Sequence, residues 1–130
     1  MKFLVGYNGS DESKAALLLA GSFAKIFDAK VFVISSLEGG SREKLEDINQ
    51  AEENLRKAKE IIDEQGVECE IQQMVRGLTP GEDLVKFAEE NQIDQIYVGI
   101  EKKSKTSKLL LGSTAQYVIL KAPCPVITAK

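Results

Sequence analysis

Two stretches of this chain carry residue types that could meet an anionic ligand. Gly6-Tyr7-Asn8-Gly9-Ser10 follows one apolar run, and GIEKKSKTSKLLLGST, residues 99–114, begins at the end of another. Glycines such as Gly99 and Gly112 let a backbone approach a ligand closely. The hydroxyls of Ser113 and Thr114, with the N–H groups beside them, suit phosphate oxygens. Lys102, Lys103, Lys105 and Lys108 make the second stretch basic within a chain whose net charge is -3.

Composition removes many other chemistries. The 130 residues include no His, so His-based nucleophile systems, imidazole metal sites and His general bases are excluded. Cys69 and Cys124 have neither ligand spacing nor a CxxC arrangement, which predicts two reduced, mostly buried thiols. The negative net charge argues against nucleic acid or an anionic membrane surface as partner. The opening MKFLVGYNG holds too short an apolar run for a signal peptide, and no stretch approaches the roughly 20 apolar residues of a membrane span, so the expected compartment is the cytoplasm.

The elements that must position these residues follow from patterning. Residues 2–7 read as a strand. Ser10 or Asp11 then caps a helix to about residue 28, with Ala16, Leu19, Ala20, Phe23 and Phe27 as its apolar stripe. Residues 30–36 read as a buried strand, and residues 42–65 as a long amphipathic helix with Leu45, Ile48, Ala51, Leu55, Ala58 and Ile62 inward. From Val67 to Val75 odd-numbered residues are expected to face the core, as in a half-exposed edge strand. Thr79, Pro80 and Glu82 form a helix start ahead of Leu84, Phe87 and Ala88. Residues 93–100 form a fourth strand, 109–122 a fourth helix and 125–129 a last strand at an edge.

Five strands alternating with four helices predict an α/β class: a three-layer sandwich on a five-stranded, parallel, doubly wound, Rossmann-like sheet, in one domain over residues 1–130. In such a sheet ligands bind beyond the carboxyl ends of the strands, where the winding reverses. Tyr7 and Tyr97, near those ends, are weighed as stacking partners for a base against simple packing.

The array GIEKKSKTSKLLLGST followed by APCPVITAK resembles the C-terminal signature of the universal stress protein family. LVGYNGSDESKAAL, RGLTPGEDLVKFAEE and IDQIYVGI extend the resemblance over the whole chain. In nucleotide-binding members the signature is Gly, two residues, Gly, nine residues, Gly and Ser, and it cradles phosphates and ribose. Here Gly99, Gly112, Ser113 and Thr114 match, Lys102 replaces the second glycine, and Asn8 replaces the ribose-binding Asp. Lys102 adds a side chain where bare N–H groups serve, while its ammonium can pair with a phosphate. Asn8 keeps a carbonyl acceptor and loses the carboxylate.

The resemblance implies a cytoplasmic stress-response module that binds ATP or AMP, with Mg²⁺ if ATP, and forms a homodimer through its C-terminal edge strand, alongside an unidentified protein partner. An alternative keeps the dimer but has the pocket closed by Lys102. An enzyme is the least favoured reading, at most a slow ATPase, because the carboxylates near the two loops are Asp11, Glu12 and Glu101, and Asp11 is explained by the helix start. Asn8-Gly9-Ser10-Asp11-Glu12-Ser13 is also similar to the PP-loop of ATP pyrophosphatases but lacks its second glycine, and N-capping accounts for it.

Overall fold

The computed structural model describes residues 1–39, 45–101 and 111–130. Strands β1 (Lys2–Gly6), β2 (Lys30–Ser36), β3 (Cys69–Met74), β4 (Gln95–Gly99) and β5 (Val126–Ala129) form one parallel sheet in the order β3-β2-β1-β4-β5. The chain winds outward from β1 to β3, then crosses back to β4 and on to β5. The winding reverses between β1 and β4, and β3 and β5 are the edges.

Helices α1 (Asp11–Phe27) and α2 (Leu45–Glu64) cover one face; α3 (Pro80–Glu90) and α4 (Ser113–Lys121) cover the other. Successive side chains of a strand point to opposite faces, so Val31 and Val33 join the first core while Phe32 and Ile34 join the second. That is why β2 reads as an unbroken apolar run.

The helix starts are capped as their residue types require. The Ser10 side chain accepts the Ser13 N–H at 3.2 Å, and Thr79 and Glu82 make a reciprocal capping box at α3. Leu84, Phe87 and Ala88 are buried, as their spacing predicts.

Three core expectations need correction. On α1 the buried line is Ala16, Leu17, Ala20, Gly21 and Ala24, with Leu19 and Phe23 half-buried and Phe27 exposed. The helix lies so close to its neighbours that a Cβ at Gly21 would stand 2.9 Å from Ile62 Cδ1, so small residues fill the contact and larger ones move to its flanks. Leu45 is exposed and Ile48 only half-buried, because the start of α2 stands over the cleft described below, and burial begins at Ala51. At the end of β3 the alternation breaks: Met74 is buried against the α3 face, while Val75, past the strand's end, is exposed. Both cysteines are free, Cys69 buried and Cys124 half-buried.

Candidate functional site

A cleft of about 400 Å³ opens at the carboxyl edge of the sheet, where the winding reverses. Its floor is Gly6, Ile34 to Ser36, Val98 and Gly99, the ends of β1, β2 and β4. Asn8, Ser10, Glu12 and Ser13 line it from the β1–α1 turn, Pro80 and Thr114 from the starts of α3 and α4, and Asp47, Gln50, Ala51 and Asn54 from α2. Its volume lies within the range of small-molecule sites.

The β1–α1 turn is held from several sides. Tyr7 N–H donates to the Ile34 carbonyl at 2.9 Å, and Asn8 Oδ1 accepts the Ser10 N–H at 3.0 Å, an Asx turn. Gly9 has φ of 83°, a conformation that favours glycine, and a Cβ there would stand 2.7 Å from Asn54 Nδ2. Because Asn8 Oδ1 is engaged within its own turn, its second lone pair is the acceptor left for a ligand.

The two glycines that match the signature differ in why they lack a side chain. A Cβ on Gly99 would stand 2.4 Å from the backbone carbonyl of Glu12, so the packing of α1 on β4 already demands glycine. Gly112 has no described residue within 4 Å of that position and an ordinary φ of -65°. Gly112 is the N-cap of α4, and among the described residues no side chain caps that helix. Around the cleft, α1 and α3 begin with donors satisfied by Ser10 and Thr79, whereas among the described residues no side chain caps the first N–H groups of α4.

Of the residues singled out in the sequence, Asn8, Gly99 and Thr114 line the cleft. Gly112 and Ser113, the residues just before Thr114, are exposed. Lys102, Lys103, Lys105 and Lys108 lie outside the described residues. Tyr97 cannot stack on a ligand: it is fully buried among Phe3 and Phe23, its hydroxyl donates to Gln95 Oε1 at 2.7 Å, and burial pushes that hydroxyl up to about 12. Tyr7 does line the cleft, although it is 5% exposed and packed in the first core.

The sequence reading missed one constellation. Asp83, on the first turns of α3, is fully buried, pairs with Arg76 Nε at 2.9 Å and accepts the hydroxyl of Ser36, a cleft residue. Arg76 also reaches Glu90 at 3.1 Å. Its one local signal is the pair of serines closing an otherwise apolar strand. Gln50 and Asn54 of α2 also line the cleft, Gln50 Nε2 donating to Asn54 Oδ1 at 3.1 Å; their i,i+4 amide spacing among charged residues is the sign the sequence offers.

Among the described residues no cluster of His, Cys, Asp and Glu could hold a metal ion, and no helix is long and apolar enough to cross a membrane. A sequence model of the universal stress protein family matches residues 1–130. A universal stress protein of Methanocaldococcus jannaschii is 34% identical, covering 99% of this chain and 81% of its own. The solved structure of a universal stress protein from Archaeoglobus fulgidus is 43% identical with a TM-score of 0.93, covering 100% of this chain and 98% of its own. A second structure from that organism, in complex with dAMP, is 38% identical with a TM-score of 0.85 and the same coverage. With the sheet order, the cleft and the matching signature residues, these likenesses show that the chain belongs to the universal stress protein family.

Proposed function

We propose that the protein is a regulatory module that binds an adenine nucleotide in the cleft and turns none over. The observation that carries this reading is the start of α4. Thr114 lines the cleft, and among the described residues no side chain caps the helix and none stands within 4 Å of the Cβ position of Gly112. An anion there would satisfy the free N–H groups and sit at the positive end of the helix dipole. Gly112, Ser113 and Thr114 would hold the phosphate. Asn8, after the central strand, would meet the ribose, and Lys102 would supply a point charge to the phosphate. The likeness to the dAMP-bound archaeal structure supports an adenine nucleotide such as AMP. If ATP is taken instead, its phosphates would bring Mg²⁺ with them.

Calorimetric titration with AMP tests the reading. One saturable site per chain is expected; neither heat nor thermal shift at millimolar AMP would leave a nucleotide-free interaction module. Sustained phosphate release from ATP, lost in a Ser113→Ala Thr114→Ala double variant, would contradict binding without turnover.

The proposal includes a homodimer through β5. This strand ends the sheet, and Leu120 on the preceding helix is exposed. The carbonyls of Pro125 and Ala129 accept from β4, so by the strand's alternation Val126 and Thr128 turn their backbone groups outward, free to pair with a second chain.

A further inference from the structure

This inference rests on the nucleotide reading and concerns how the turn that carries Asn8 is held. The turn depends on one peptide unit, the one joining Asn8 to Gly9. Gly9 has φ of 83°, and glycine adopts φ of either sign at little cost, so that peptide can flip while β1 and α1 stay in place. A flip would carry the Ser10 N–H away from Asn8 Oδ1 and break the Asx turn, whose bond at 3.0 Å sets the Asn8 side chain.

Asn54 reaches this peptide from α2. Ala51, Leu55 and Ala58 bury the inner face of that helix and fix the backbone from which Asn54 projects. Its amide lies against Gly9: a Cβ there would stand 2.7 Å from Nδ2, 3.0 Å from Cγ and 3.2 Å from Oδ1. Glycine therefore makes room for Asn54 as well as for the turn. Nδ2 donates to the Asn8 carbonyl, the oxygen of the same peptide, at 3.5 Å. A backbone carbonyl only accepts, so the NH₂ has to face Asn8, and Oδ1 is left to accept Gln50 Nε2 at 3.1 Å. The 3.5 Å bond is long and weak by itself. Flipping the peptide would nevertheless replace it with the Gly9 N–H set against the Asn54 NH₂, donor against donor.

We propose that Asn54 is a positioning residue for ribose recognition: by pinning the Asn8–Gly9 peptide it keeps the second lone pair of Asn8 Oδ1 where a ribose hydroxyl meets it. A neutral amide offers that hydroxyl a single lone pair, so its placement matters more than a carboxylate's would. Asn54 acts through Asn8.

The test is titration of the parent protein and of Asn54→Leu with AMP and with 2′,3′-dideoxyadenosine 5′-monophosphate, which lacks both ribose hydroxyls. The parent should prefer AMP about fivefold. Leucine resembles asparagine in size and can still rest on Gly9, but it has no N–H for the Asn8 carbonyl. In Asn54→Leu, AMP should weaken about fivefold and the dideoxy nucleotide should hold steady, so that the preference disappears. Asn54→Ala should give the same collapse and decides the matter if Asn54→Leu fails to fold. A merely structural loss would weaken both nucleotides alike and preserve the preference. A preference that survives in the variants, or a parent that binds both nucleotides equally, overturns the role of Asn54 while leaving the nucleotide site standing. Binding of neither nucleotide to the parent overturns both.

Discussion

Gly99 at the end of β4 lies against the first turn of α1 so closely that a methyl group on its Cα would stand 2.4 Å from both the carbonyl carbon and oxygen of Glu12. The first glycine matching the family signature is thus a packing residue. Gly99→Ala should lower folding stability by about 3 kcal/mol, the upper range for overpacking, because the obstacle is backbone rather than a side chain that can swing away. Denaturant unfolding without ligand checks this; an unchanged midpoint would mean that Gly99 serves the ligand alone.

The ion pair beside Ser36 carries stability. Arg76 is the cation against the buried carboxylate of Asp83, so Arg76→Met leaves an uncompensated charge. A loss of about 3 kcal/mol is expected in thermal or denaturant unfolding. A variant of wild-type stability would show that solvent reaches Asp83.

The sequence and the structure agree where the determinants are local. Ser10, Thr79 and Glu82 cap helices within three or four residues of themselves, and period and spacing marked all nine elements. What the sequence hid depends on contacts across the fold. Ser36 and Asp83 stand 47 positions apart, and only the crossover from β3 to α3 brings them together. Leu45 and Phe27 match helical periodicity yet are exposed, because periodicity ranks the residues of a face without saying how far along the helix its partner extends. Tyr97 illustrates the same gap: its place near a strand end is readable, its complete burial is not.

Stability should fall in alkaline solution. Burial pushes the Cys69 thiol up to about 11 from 9.0 and the Tyr97 hydroxyl up to about 12 from 10.0. The unfolded chain therefore releases each proton at a lower pH than the folded one. The contribution of Cys69 is fully present below pH 9 and is lost as pH rises toward 11; that of Tyr97 follows between 10 and 12. Denaturation midpoints measured from pH 8 to 11 should decline, with a shallower fall in Cys69→Ala. A flat profile would mean that both groups titrate like exposed ones.

The outward backbone groups of β5 give the proposed dimer a discriminating variant. Proline at Thr128 removes an N–H directed away from β4 and leaves the ladder to β4 intact. The parent protein is expected to sediment as the proposed dimer and Thr128→Pro, at the same concentration, as a folded monomer. A dimeric Thr128→Pro would place the interface elsewhere.

The account rests most heavily on the uncapped start of α4, and the AMP affinity of Gly112→Asp tests it most directly. The new carboxylate can cap the helix from a position that no described residue occupies, so the ligand-free fold should gain about 0.5 kcal/mol. The same carboxylate takes the N–H groups assigned to the phosphate and repels it, so AMP should bind about a hundredfold more weakly than to the parent protein. Undiminished AMP binding to this variant would show that the phosphate is held somewhere other than the start of α4.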